Sequence, residues 1–185
     1  MRLFVAVSLE SGLATLLYSA LAPYRAKAPR ARWVPPANYH FTLKFIGSWP
    51  EPRESELIGA LERVQARAFS ISLAGLGFFP APNRPRLLWA GVRDPQPLAW
   101  LADLVDRACV SVGIPAEARP FSPHLTIARA VAPPDLRSLE NEIAEARPSW
   151  GSQVVQAFHL FESRTLPSGP VYTPRASFPL GGSPA

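Results

Sequence analysis

His40-Phe41-Thr42-Leu43 returns as His124-Leu125-Thr126-Ile127, 84 residues further on (124 − 40), in a chain of 185. Each copy reads His-x-Thr-x with apolar residues at x. Short apolar runs of this kind read as strands. Side chains on a strand alternate between its two faces. His40 and Thr42 therefore share one face, and Phe41 and Leu43 take the other. His124 and Thr126 are set against Leu125 and Ile127 in the same way. Each strand buries an apolar side and presents an imidazole with a hydroxyl.

The surrounding pattern repeats with the motif. Leu3 to Val7 reads as a strand, Leu13 to Leu21 as a helix, and Phe41 to Phe45 as the first motif strand. Leu57 to Ala68 marks a second helix, and Phe69 to Phe79 a third strand. The order begins again with a strand over Arg86 to Val92 and a helical stripe from Leu98 to Val112. His124 to Ala128 is the second motif strand, Leu136 to Ile143 a short helix, and Val154 to Phe161 and Tyr172 to Phe178 closing strands. The result is a duplicated βαβαβ with one extra strand. It predicts a single domain over 1–185 with halves at about 1–80 and 86–180. Pro23 should end or kink the first helix, and Arg25 to Pro36 reads as a basic, proline-marked loop. Gly75-x-Gly77 lacks the third glycine and the following helix of a phosphate loop, so it reads as a strand kink.

Two imidazoles from related strands make a chemically useful set. One ring can accept a proton near neutral pH while the other donates one, and threonine hydroxyls can donate hydrogen bonds to phosphate oxygens. Displacement at phosphorus needs a base on the attacking oxygen and an acid on the leaving one, which such a pair supplies without a metal. The third histidine, His159, has no threonine two residues on and reads as structural or surface.

Composition agrees with a folded protein. Hydrophobic residues make up 48% and charged residues 18%, a globular balance. The 22 prolines exceed twice the usual share of about 5%, which points to many pinned loops. Net charge is +5, and of 19 basic residues all but Lys27 and Lys44 are arginine. Arginine's planar fork suits phosphate. One cysteine, Cys109, excludes an internal disulfide framework and reads as a buried thiol. With three histidines and that one cysteine, common zinc-finger patterns are excluded too. No signal peptide or membrane-spanning run is visible, so a cytoplasmic protein with no membrane partner is the default.

Taken with their flanks, the motifs resemble the 2H phosphoesterase superfamily. Within it they resemble the bacterial and archaeal 2′-5′ RNA ligase family, also called RNA 2′,3′-cyclic phosphodiesterase (LigT-like). The likeness covers nearly the whole chain: Arg2-Leu3-Phe4, Trp33-Val34-Pro35-Pro36, Phe45-Ile46-Gly47, Gly75 to Pro80, Leu87 to Val92, and Pro120 to Arg129. Phe41 and Lys44 depart mildly from it. The resemblance implies an α+β bilobal fold, two antiparallel sheets facing a central groove with helices outside. It implies hydrolysis of RNA 2′,3′-cyclic phosphate ends to 2′-phosphomonoesters with no metal and no other cofactor. His40 and His124 would be the catalytic pair, His40 as the acid and His124 as the base or the reverse, and Thr42 and Thr126 the phosphate-binding pair. Alternatives are ATP-independent, reversible 2′-5′ joining of tRNA halves, and RNA binding without catalysis. The implied partner is RNA with a cyclic phosphate or 2′-5′ linkage, tRNA fragments among them, and a monomer suffices. Arg129, Phe4, Arg30 and Arg32 are further candidates for RNA contact. By simple alternation Arg129 points away from Thr126, and reaches the site only if the strand bends or ends there or if its long arm wraps round.

Overall fold

The computed structural model describes residues 1–167 and 169–182. Among these residues the strands are β1 (Arg2–Ser8), β2 (Arg32–Trp33), β3 (His40–Ser48), β4 (Phe69–Ala81), β5 (Arg84–Val92), β6 (Leu125–Arg129), β7 (Ser149–Val155), β8 (Ala157–Leu166) and β9 (Gly169–Pro179). The helices are α1 (Ser11–Ala20), α2 (Ala22–Lys27), α3 (Glu54–Glu62), α4 (Gln96–Val110) and α5 (Glu140–Glu145). The strands run in the order β7-β4-β5-β6-β3-β1-β8-β9, with β2 also on β6. All these ladders are antiparallel. The class is α+β, as expected.

Two four-strand blocks meet at β3 and β6, the strands that carry the motifs. Their shared ladder is a single residue pair, Phe41 opposite Leu125. On each side the motif strand is paired with a long strand from earlier in the chain: β1 for β3, and β5 for β6. The connections pass through α1 and α2 in the first case and α4 in the second.

The pairing divides the chain differently from the element order. β4 pairs with β5 and β7, so it lies in the second block. β8 and β9 return to β1 and complete the first block from the other end of the chain. A boundary at 80–86 falls inside the β4–β5 hairpin, whose short turn holds its two strands together. β1 would otherwise leave one ladder edge unpaired, and β8 fills it. The expected single strand over Val154 to Phe161 is broken at Gln156 for the same reason: β7 serves one block and β8 the other. The basic loop holds more structure than its composition suggested. Pro23 stands in the first turn of α2, where its missing N–H costs nothing, and Arg32–Trp33 pair with β6.

The helical stripes bury as their spacing predicts: Leu57, Ala60 and Leu61 on α3, and Leu98, Leu101, Ala102, Val105 and Cys109 on α4. Each large aliphatic side chain removed from water this way contributes about 1.5–3 kcal/mol. The Gly75-x-Gly77 kink is present, with φ +79° at Gly75 and a register shift between Leu73 and Leu76. Gly77 is required for another reason. The Trp89 indole lies directly on it, and a Cβ there would come within 2.2 Å of Cζ2. No helix among the described residues is long and apolar enough to cross a membrane.

Candidate active site

Both motif strands carry a β-bulge at the same place. On β3 the partners of Ala6 and Val5 are Thr42 and Lys44, so Leu43 is the extra residue. On β6 the partners of Trp89 and Leu88 are Thr126 and Ala128, so Ile127 is extra. A bulge inserts one residue and shifts the alternation of everything beyond it. Leu43 and Lys44 are therefore both buried, as are Ile127 and Ala128. Phe45 and Arg129 come round to the face of the histidines and threonines. Arg129 thus reaches the site face, because the strand bends at Ile127. Phe45, 65% exposed, is the residue that sequence reading missed, since strict alternation puts it behind His40.

The pair Phe41–Leu125 sets the relative register of the motifs. Continued one residue in each direction, it places His40 across from Thr126 and Thr42 across from His124. The two histidines are then diagonal neighbours on one face, a relation that on a regular antiparallel pair brings residues within about 7–8 Å of each other. Phe41 and Leu125 are fully buried beneath them, and the four polar side chains above are half-buried.

The two imidazoles are held alike. His40 Nδ1 lies 2.8 Å from the Asn38 carbonyl oxygen, and His124 Nδ1 lies 2.8 Å from that of Ser122. A carbonyl can only accept, so each Nδ1 carries the proton and donates it. Each neutral ring therefore has its lone pair on Nε2, ready to take a proton. His40 packs against Phe4, with ring centroids 5.0 Å apart, and meets the edge of Tyr172 at 5.2 Å. The side-chain amide of Asn38 donates to the Pro170 carbonyl at 3.0 Å, tying the start of β9 beside His40. His124 stands against Phe79 at 5.0 Å.

Burial holds the His40 pKa below the ordinary histidine value; the Asn38 carbonyl opposes this, and the charges of Arg129 and His124 reinforce it. His40 therefore releases its proton at a lower pH than free histidine does. One limb of the pH profile of kcat/KM, which reports the free enzyme, should accordingly fall below about 6.5. A profile measured from pH 4.5 to 9 with both apparent pKa values above 6.5 would contradict this placement of His40.

The remaining candidates separate. Phe4 is buried, stacked on Phe161 at 5.3 Å, and backs His40 rather than offering a free ring. Arg30 is committed to Asp135 at 3.5 Å. Arg32 stands directly opposite Arg129 at the end of β6. His159 lies on β8, next to Phe161 and on the same sheet face, with its pKa lowered by burial. Among the described residues no three His, Cys, Asp or Glu side chains come together as metal ligands.

The family described as "LigT like Phosphoesterase" matches this chain over residues 7–89 and 92–172. The chain belongs to the LigT-like phosphoesterase family. A relative from Methanothermobacter thermautotrophicus, an RNA 2′,3′-cyclic phosphodiesterase, is 32% identical over 97% of this chain and 98% of its own. A Geobacillus stearothermophilus protein of the same name is 35% identical over 98% of this chain, which spans 58% of that protein's length. The crystal structure of Escherichia coli LigT complexed with 3′-AMP superposes with a TM-score of 0.78 at 28% identity, covering 98% of each chain. Both motif strands of this LigT-like chain fall inside the matched residues.

Proposed function

We propose that this protein opens RNA 2′,3′-cyclic phosphate ends to 2′-phosphomonoesters by two-histidine acid–base catalysis without a metal. His124 Nε2 takes a proton from water as the water oxygen bonds to phosphorus. The P–O3′ bond breaks, and the His40 imidazolium delivers its Nε2 proton to the leaving ribose oxygen. Thr42 and Thr126 donate to the non-bridging oxygens. The observation that carries this is the matched pair of imidazoles, each anchored by Nδ1 to a carbonyl two residues back, on adjacent strands in register. The names of the relatives support the substrate class. On the same face, the exposed ring of Phe45 offers a surface for base stacking.

The test is product analysis on an oligonucleotide ending in a 2′,3′-cyclic phosphate, with and without EDTA. A 2′-phosphate product formed at an unchanged rate in EDTA is expected. A 3′-phosphate product, or loss of turnover in EDTA, would overturn the reading.

Like charges directly opposite on a sheet repel, and among the described residues neither Arg32 nor Arg129 has an ion-pair partner. An RNA phosphate between them relieves that repulsion. Arg129→Ala should raise KM for an RNA oligonucleotide and reduce the log–log salt dependence of KM by about 0.7. KM measured from 50 to 300 mM salt checks this, and an unaltered slope counts against it.

A further inference from the structure

Lys44 is one of two lysines in the chain, and its side chain is 2% exposed. Alternation from His40 would place it on the site face. The bulge at Leu43 turns it inward, where it crosses to the second block. Its Nζ donates to Asp106 Oδ1 on α4 at 2.6 Å and to the Pro115 carbonyl at 2.7 Å, and lies 3.2 Å from Glu117 Oε1. Its three protons thus have three acceptors. The Asp106 carboxylate also accepts the Glu117 N–H, at 3.2 and 3.4 Å.

These contacts fall at the start of a segment without helix or strand, residues 114–124, whose last residue is His124. The last part of that segment supplies the Ser122 carbonyl that orients the His124 ring. The motif strands themselves share one ladder pair. An irregular segment has no ladder of its own to hold it, so a side-chain anchor decides where it lies. Burial alone would lower the Lys44 pKa, but hydrogen bonds to Asp106 and Glu117 and their charges outweigh it and keep the ammonium charged.

We propose that Lys44 is a positioning residue: leaving the His40 strand, it anchors the segment that carries His124 and so sets the two imidazoles relative to one another. This rests on the two-histidine reading above. It goes beyond it by assigning a role to a residue that touches no substrate.

The experiment measures single-turnover rate constants with saturating enzyme on the cyclic-phosphate oligonucleotide for wild type, Lys44→Met, Lys44→Arg and Glu117→Gln, together with KM and Tm. With folded enzyme still saturating, the presence of unfolded molecules leaves this rate constant unchanged. A small displacement of a catalytic group can cost about 10²-fold, so Lys44→Met should lower the rate constant by about 10- to 10²-fold, with KM changed less than about threefold. Lys44→Arg, which keeps charge and donors, should recover most of the loss. Glu117→Gln alters only the most exposed partner and should fold whatever Lys44→Met does. It should slow the step by about two- to fivefold, the range of an exposed ion pair. An unchanged rate constant in folded Lys44→Met, or in Glu117→Gln where Lys44→Met does not fold, overturns the positioning role. A wild-type chain with no turnover overturns the underlying reading instead.

Discussion

His124→Ala should lower kcat on a 2′,3′-cyclic phosphate end by about 10²–10⁴-fold, and His40→Ala by a similar factor, the usual worth of a general acid or base. Neither substitution disturbs the packing beneath, because the buried residues at this level are Phe41 and Leu125. Tm should stay close to wild type, so the loss is one of chemistry. The two variants are told apart by the leaving atom. Replacing the bridging 3′-oxygen with sulfur gives a leaving group that departs without a proton. On that substrate His40→Ala should approach the wild-type rate, while His124→Ala remains slow because water still needs a base. The opposite pattern would exchange the two roles. Full activity of both variants on the oxygen substrate would remove the imidazoles from the mechanism. The double variant should be little worse than either single one, since the two groups act in one step.

Phe41→Ala should cost about 3–5 kcal/mol of stability, the range for a buried phenylalanine cut back to alanine. Phe41 is fully buried and sits at the one residue pair that joins β3 to β6. The cavity would open where the two blocks meet, with few local contacts able to close over it. For a chain of this size each kcal/mol lowers Tm by about 2–4 °C, so a fall of about 6–20 °C is expected in a thermal melt. Phe41→Leu, which keeps most of the volume, should lose much less. A Phe41→Ala variant within about 1 kcal/mol of wild type in urea unfolding would show that the junction is not held by this contact.

Much of the site was legible from residues 40–43 and 124–127. The alternation of polar and apolar residues there already separated the histidine and threonine face from the buried one, and the repeat already marked the two strands as counterparts. The stripes from Leu98 to Cys109 and from Leu57 to Leu61 announced their helices and their buried sides. Other features were not legible. Nothing in Thr42-Leu43-Lys44-Phe45 announces a bulge, and simple counting along the strand puts Lys44 and Phe45 on the wrong faces. In the second copy the consecutive apolar pair Ile127-Ala128 is the trace that a bulge leaves. The carbonyl partners of the two rings, Asn38 and Ser122, lie just outside the motif, and their role depends on local backbone direction.

By itself the amino-acid order determined which residues share a strand face up to the threonine of each motif, and that two such strands exist. Period-two and period-3.6 patterns are local and are written in neighbouring side chains. Only the tertiary structure decided what lies beyond the threonine. A bulge is defined by a mismatch in count with the partner strand, so Arg129 and Phe45 turn toward the site, and Lys44 away from it, because of how β5 and β1 pair. The same holds for the blocks themselves. β8 completes the sheet begun by β1 because that edge needs hydrogen-bond partners, a requirement set by the assembled sheet and absent from either strand alone.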